Sequence, residues 1–159
     1  MPGKQSLRVN PDVPPVVHAP RRVPVALRDR VNVELKRMET EGIITKVTDP
    51  GRGWVSSMCT VVKPSGKVRI CLDPADLNKA LEREHYSMQT LDAICDRLAG
   101  AKVFSTLDAN CGYWMIQLDA DSSDLCIFNT EIGSYKFERL PFGINVAPEL
   151  FQRIMTDTF

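Results

Sequence analysis

The stretch Phe104-Ser-Thr-Leu-Asp108-Ala-Asn-Cys-Gly-Tyr113 ends an apolar run on a carboxylate, and an aromatic follows five residues later. An acid at the end of a buried strand has three uses. It can cap the turn that follows, stand solvated, or take Mg2+ beside substrate phosphates. Metal catalysis of the third kind needs two or three converging carboxylates. Asp119, Asp121 and Asp124 are near in sequence, but they lie in a polar segment that reads as a solvated face. Spacing leaves all three uses of Asp108 open. The other reactive residues point to less. Cys59, Cys71, Cys95, Cys111 and Cys126 are an odd, widely spaced set without a CxxC pair, which reads as reduced thiols in an intracellular protein. His18 and His85 lie far from any cysteine at ligand spacing, so a surface or hydrogen-bonded role fits them better than zinc.

The elements that would position Asp108 follow from periodicity. Residues 1–25 hold six of the eleven prolines and read as an extended lead-in, ordered only against something else. Leu27, Val31, Leu35 and Met38 recur at helical spacing among charges, which predicts an amphipathic helix over 26–41 with Gly42 as its stop. Ile43, Ile44 and Val47 begin a short strand, and Asp49–Gly53 is a loop. Ser57–Lys63 and Lys67–Leu72 flank Pro64-Ser-Gly66 and predict a β-hairpin. A short helix is expected over 74–82, and a second, capped by Thr90 and stopped by Gly100, carries Leu91, Ile94, Cys95 and Leu98. Val103–Leu107 is the expected strand that delivers Asp108. Leu125–Phe128 and Tyr135–Phe137 predict a second hairpin turning at 132–134, and Pro148 opens a last helix with Leu150, Phe151 and Ile154 on one face. Helix, hairpin, helices, strand, hairpin, helix is an α+β order rather than a βαβ series.

The totals suit one core of ordinary composition: 43% of residues are apolar and 25% charged. Twenty basic residues balance twenty acidic ones, so net charge lends no support to nucleic-acid binding. Only residues 1–30 are locally basic, with Lys4, Arg8, Arg21, Arg22, Arg28 and Arg30 against Asp12 and Asp29. No apolar run approaches the roughly 20 residues of a bilayer span, and no secretory signal opens the chain.

Three blocks carry more information than their periodicity. Residues Lys67-Val-Arg-Ile-Cys-Leu-Asp-Pro-Ala-Asp-Leu-Asn-Lys79, Phe104–Tyr113 and Leu140-Pro-Phe-Gly-Ile-Asn-Val-Ala-Pro-Glu-Leu-Phe-Gln152 resemble, in order and spacing, successive blocks of a reverse transcriptase. The resemblance runs from about residue 8 to the end of the chain and is closest to the Gypsy/Ty3 class of long-terminal-repeat retrotransposons. It implies an incomplete polymerase right hand built of antiparallel hairpins packed with helices. Residues 43–85 and 119–147 would be fingers, 86–118 and 148–159 palm, and 1–42 the Pro-rich lead-in and helix that join the protease region of a Pol polyprotein to the polymerase.

It also implies roles. Asp108 maps onto the first catalytic aspartate, bridging two Mg2+ ions with the carbonyl of Ala109 in the same shell. Tyr113 maps onto the aromatic gate that excludes a ribose 2′-hydroxyl. Lys63 and Arg69 resemble the fingers cations on the incoming triphosphate, with Lys67 an alternative to Lys63; arginine suits phosphate through its forked donors and lysine as a mobile point charge. Phe142 and Gly143 resemble the loop beside the nascent base pair, and Gln152 would face the template or the nucleotide pocket. The implied partners are an RNA or DNA template with its primer and a deoxynucleoside triphosphate, without a membrane. A cytoplasmic location is implied, as are RNase H and integrase in the parent polyprotein.

The chain departs from the family at several points. Ala75 stands where arginine is usual, Ser87 and Gln89 replace prolines, and Cys111 replaces serine. The family's second carboxylate pair lies in a Tyr-x-Asp-Asp-type turn downstream of the block at Leu140, past Phe159. These 159 residues are therefore expected not to polymerise alone. The apolar faces of the last helix and of strand 103–107 are expected to lack partners, giving an aggregation-prone or partly molten product. The rival expectation is a non-catalytic remnant, inert or co-opted as a nucleic-acid or protein-interaction module.

Overall fold

A computed structural model describes residues 3–83, 86–87, 90–106 and 108–158. His85, Gln89 and Leu107, each named above, lie outside the described residues. Helix α1, Val25–Thr40, buries Val31, Leu35 and Met38, the stripe its periodicity predicts. It ends at Gly42, whose φ of +66° only glycine adopts without penalty. Strands β1 (Ile44–Val47), β2 (Val55–Val62) and β3 (Val68–Asp73) follow, with the expected hairpin closing across the Lys63 amide and the Lys67 carbonyl. The short helix α2 covers only Leu77–Ala80, less than expected. The lead-in is the reason. The Asn10 amide donates to the Ala80 carbonyl and the Glu82 amide to the Arg8 carbonyl, which draws residues 80–82 out into an extended bridge.

Beyond α2 come α3 (Leu91–Leu98), a 3-10 turn (Gly112–Met115), α4 (Ala120–Leu125), β4 (Ile127–Thr130), β5 (Gly133–Phe137) and α5 (Ala147–Thr158). The five strands form one sheet in the order β1-β5-β4-β2-β3. Both hairpins are antiparallel as expected, and β1 adds antiparallel to β5. The join between them is a parallel pairing of β2 with β4, Val55 opposite Ile127. Alternation along a single strand cannot announce such a non-local pairing. The α+β order is as read, and the core runs from α1 through Ile70, Leu72, Phe128 and Phe137 to Leu150 and Ile154 of α5.

Three expectations fail. Residues 103–106 pair with no strand, and Val103 is 86% exposed. The apolar run Val103–Phe104 suggests a buried strand, but a strand exists only through its neighbours' hydrogen bonds, and none is placed beside it among the described residues. The polar segment at 119–124 is not a plain solvated face. It is the helix α4, with Ser122 and Ser123 buried and the Asp119 carboxylate accepting the Ser122 amide at 2.8 Å as its N-cap. The last helix does not lack partners, since α5 buries Ala147, Leu150 and Ile154. The element left bare is α3, which Thr90 caps as expected but which buries no residue; Leu91 and Leu98 stay exposed.

Candidate nucleotide-binding site

The turn of the β2–β3 hairpin lies beside α1, where a β-carbon on Gly66 would meet the Arg30 guanidinium at 3.8 Å. Between them lies a cavity of about 790 Å³ whose lining includes Lys63, Gly66, Lys67 and Arg69 from the hairpin, and Arg30 and Arg37 from α1. Asn110, Cys111, Trp114 and Met115, which follow Asp108 in the chain, line it too, as does Arg139. Six cations on this lining meet three acids, Asp29, Glu34 and Glu41. Two of those acids are already engaged, because Arg37 pairs with Glu34 at 2.7 Å and with Glu41 at 2.5 Å. These bonds, that with Glu34 foremost, raise the Arg37 pKa further. The remaining cations give the cavity a positive interior suited to a polyanion.

The wall after Asp108 is shaped by backbone geometry. Cys111 has φ +53° and ψ +50°, the left-handed region, and it starts the 3-10 turn that carries Tyr113 and Trp114. Such a conformation in a non-glycine residue is costly and often marks a functional turn. Gly112 next to it lets α5 approach closely: a β-carbon there would meet the Phe151 ring at 3.0 Å and the Ala109 side chain at 3.3 Å. The turn thus sits on α5, and Asp108 stands exposed immediately before it.

An aromatic cluster joins this turn to the hairpin. Tyr113 lies 5.0 Å from Phe142 and 5.5 Å, edge-on, from Phe151, and Trp114 meets Phe142 edge-on at 5.8 Å. The Arg69 guanidinium caps the Phe142 ring at 4.5 Å, while Arg37 stands over Trp114 at 5.8 Å. Arg69 is therefore held by a ring face and presented to the cavity without a carboxylate partner among these contacts.

The residues singled out by resemblance divide accordingly. Lys63, Lys67 and Arg69 line the cavity, whereas Asp108, Ala109, Tyr113 and Phe142 do not; Tyr113 and Phe142 connect to it through the Arg69 guanidinium on the Phe142 ring. Ala109 packs near Gly112 at the base of the turn. Gly143 does have a close backbone approach, but to its own fold: at φ +112° a β-carbon would lie 2.0 Å from the Leu72 carbonyl oxygen. Gln152 is half-buried, and its amide turns along its own helix to Thr156 at 3.4 Å rather than into the cavity lining. Among the described residues no group of three or more His, Cys, Asp or Glu side chains is placed to hold a metal ion, so these residues do not by themselves fit a two-Mg2+ site.

Sequence reasoning gave no role to Arg30, Arg37, Trp114 or the pair Asn78–Asn145. The Asn78 amide donates to the Gly143 carbonyl at 3.0 Å, and its own oxygen accepts the Asn145 backbone amide at 2.9 Å. The Asn145 amide returns a 2.9 Å bond to the Asn78 carbonyl. This clamp fixes the loop that carries Phe142. Both asparagines lie inside the recognised blocks, but only their shared contact shows what they do.

The family profile described as Reverse transcriptase (RNA-dependent DNA polymerase) matches residues 61–159. The retrovirus-related Pol polyprotein from transposon 412 of Drosophila melanogaster is 35% identical over 98% of this chain. The enzymatic polyprotein of cauliflower mosaic virus (strain Strasbourg) is 34% identical over 61% of it. The chain spans 13% and 14% of those two proteins' lengths. Among solved structures, the prototype foamy virus protease-reverse transcriptase superposes with a TM-score of 0.79 at 23% identity, covering 92% of this chain and 19% of that one. The foamy viral protease-reverse transcriptase in complex with an RNA/DNA hybrid gives 0.72 at 20% identity over 91% of this chain and 19% of that one. The hairpin cations, the turn after Asp108 and the Phe142 loop all fall within the matched residues, and the chain belongs to the reverse transcriptase family, with relatives among the Pol polyproteins of retrovirus-like transposons.

Proposed function

We propose that this chain is the fingers and first palm portion of an RNA-directed DNA polymerase encoded by a Gypsy/Ty3-type element, and that its cationic cavity receives the triphosphate of an incoming deoxynucleotide. The observation that carries the reading is that Lys63, Lys67 and Arg69 line one cavity together with Asn110, Cys111, Trp114 and Met115, which follow Asp108 in the chain. Arginine held on a ring face keeps its forked donors oriented for phosphate oxygens, and the hairpin lysines add mobile charge.

Tyr113, on the turn that starts at Cys111 and packed 5.0 Å from Phe142, would serve as the gate against a 2′-hydroxyl. Asp108 and the Ala109 carbonyl would contribute to a Mg2+ site completed by acids from elsewhere in a longer protein. Mg2+ supplies charge neutralisation and activation of the primer 3′-hydroxyl when bound. Template and primer, RNA or DNA, are the macromolecular partners under this reading, and RNase H and integrase belong to the parent polyprotein. Copying of the element's RNA would take place in the cytoplasm. The 159 residues alone, with one acid of the set, are proposed to be inactive.

Titration of the purified chain with a deoxynucleoside triphosphate, followed by calorimetry, tests the cavity assignment. Binding should weaken about tenfold or more in Arg69→Ala, since a charge-assisted contact contributes roughly 1.5–3 kcal/mol, and should fall with added salt. Equal affinity in wild type, Lys63→Ala and Arg69→Ala would remove the cavity from the account.

A further inference from the structure

On the sheet face opposite Val68, Ile70 and Leu72, two thiols stand across from one another. Cys59 of β2 and Cys71 of β3 are register partners. Cys59 is half-buried and Cys71 buried. Directly opposed residues of an antiparallel pair have Cα atoms about 4.5 or about 5.5 Å apart, depending on the kind of pair. Either separation falls within the roughly 4.4–6.8 Å that a disulfide spans. The register of the strands therefore already sets the two Cα atoms within the range that a disulfide spans.

Their surroundings divide the two thiols chemically. The Cys71 thiol donates a hydrogen bond to the Cys59 sulfur and lowers the Cys59 pKa to about 7; burial and Asp73 oppose this and Arg21 assists. The same hydrogen bond pushes the Cys71 pKa up, reinforced by burial and countered by Arg69. The outer thiol ionises near neutral pH while the inner one keeps its proton. None of the other three cysteines has this arrangement: Cys95 is exposed, Cys111 half-buried, and Cys126 is buried with its pKa raised by burial alone.

We propose that Cys59 and Cys71 form a reversible dithiol–disulfide site, oxidised by a low-molecular-weight disulfide of the glutathione class. The Cys59 thiolate attacks one sulfur of the disulfide. A protein–glutathione bond forms, the original S–S bond breaks, and the departing thiolate takes up a proton. Cys71 then releases its proton and attacks the Cys59 sulfur, forming the Cys59–Cys71 bond and expelling the second glutathione. Two protein thiols are oxidised and one glutathione disulfide is reduced to two thiols. The bridge ties β2 to β3 four residues from Lys63 and two from Arg69, so it braces the hairpin that carries both cations. The chemistry does not depend on the nucleotide reading and stands or falls separately from it.

The test is to equilibrate the full chain in glutathione redox buffers, alkylate the remaining thiols, and map the peptides by mass spectrometry. The expected result is loss of two alkylatable thiols in a peptide linking Cys59 to Cys71, restored by excess reduced glutathione. Cys71→Ser should stop at a glutathione adduct on Cys59, with circular dichroism reporting whether that variant folds; the wild-type peptide map decides the matter if it does not. Full alkylation of Cys59 and Cys71 in oxidising buffer that modifies Cys95, or a bridge joining any other pair, would overturn the proposal.

Discussion

At Gly143 the backbone φ is +112°, and the space a β-carbon needs is filled by the Leu72 carbonyl oxygen 2.0 Å away. Gly143→Ala combines a disfavoured conformation with a backbone clash and is expected to destabilise the chain by at least about 2 kcal/mol in urea unfolding; a loss below about 0.5 kcal/mol would refute this packing. Asp119 makes the opposite kind of contribution, through a cap. The Ser122 hydroxyl, the Ser6 hydroxyl and the Ser122 amide all donate to its carboxylate and hold its pKa below the ordinary value. A depressed carboxylate stabilises the fold above its unfolded-state pKa, near 3.9, and loses that contribution as pH falls through the lower folded value. Asp119→Ala should thus cost about 1 kcal/mol at pH 7, and the gap between variant and wild type should narrow once the pH falls below about 4. A gap unchanged down to pH 2 would show that the cap does not act through its charge. Neither role was legible in the sequence. Spacing shows which residue types are adjacent in the chain and not which distant backbone crosses them, so neither the Leu72 carbonyl against Gly143 nor the Ser6 hydroxyl on Asp119 is marked in it.

The helices α3 and α5 have equally clear amphipathic patterns and opposite fates. Leu150 of α5 is 6% exposed, whereas Leu98 of α3 is 46% exposed. Leu150→Ala should cost about 2–5 kcal/mol, as truncations in a packed core do, while Leu98→Ala should stay within about 0.5 kcal/mol. Comparable losses at both positions would mean that α3 is packed in solution. Periodicity predicted both helices and the Thr90 cap, since each is a property of a few consecutive residues. It could not say which apolar face finds a partner. The same limit explains the strand expected at 103–107 and the unforeseen parallel pairing of β2 with β4, which depend on segments far apart in sequence.

At the scale of the molecule, the α+β order and both hairpins are readable from periodicity and turn residues, and the hairpin cations Lys63, Lys67 and Arg69 only through the resemblance to reverse transcriptases. The cavity's other half, Arg30 and Arg37 on α1, is not, since nothing in the helix pattern marks those arginines off from solvated ones. The exposed apolar residues of α3, with Val103 and Phe104, form the surface expected to drive association, so the chain should sediment with a concentration-dependent mass; a monomer at all concentrations would contradict this. Under the proposed function Asp108 would be a working acid of a polymerase and not a cap or a bystander. The most direct measurement is primer extension on an RNA template with Mg2+, comparing these 159 residues, a polypeptide that continues them through the remainder of a polymerase, and that longer polypeptide with Asp108→Asn. Template-dependent extension is expected from the longer polypeptide alone, with Asp108→Asn reduced to background while still binding primer–template. Extension that persists at the same rate without the Asp108 carboxylate would contradict it.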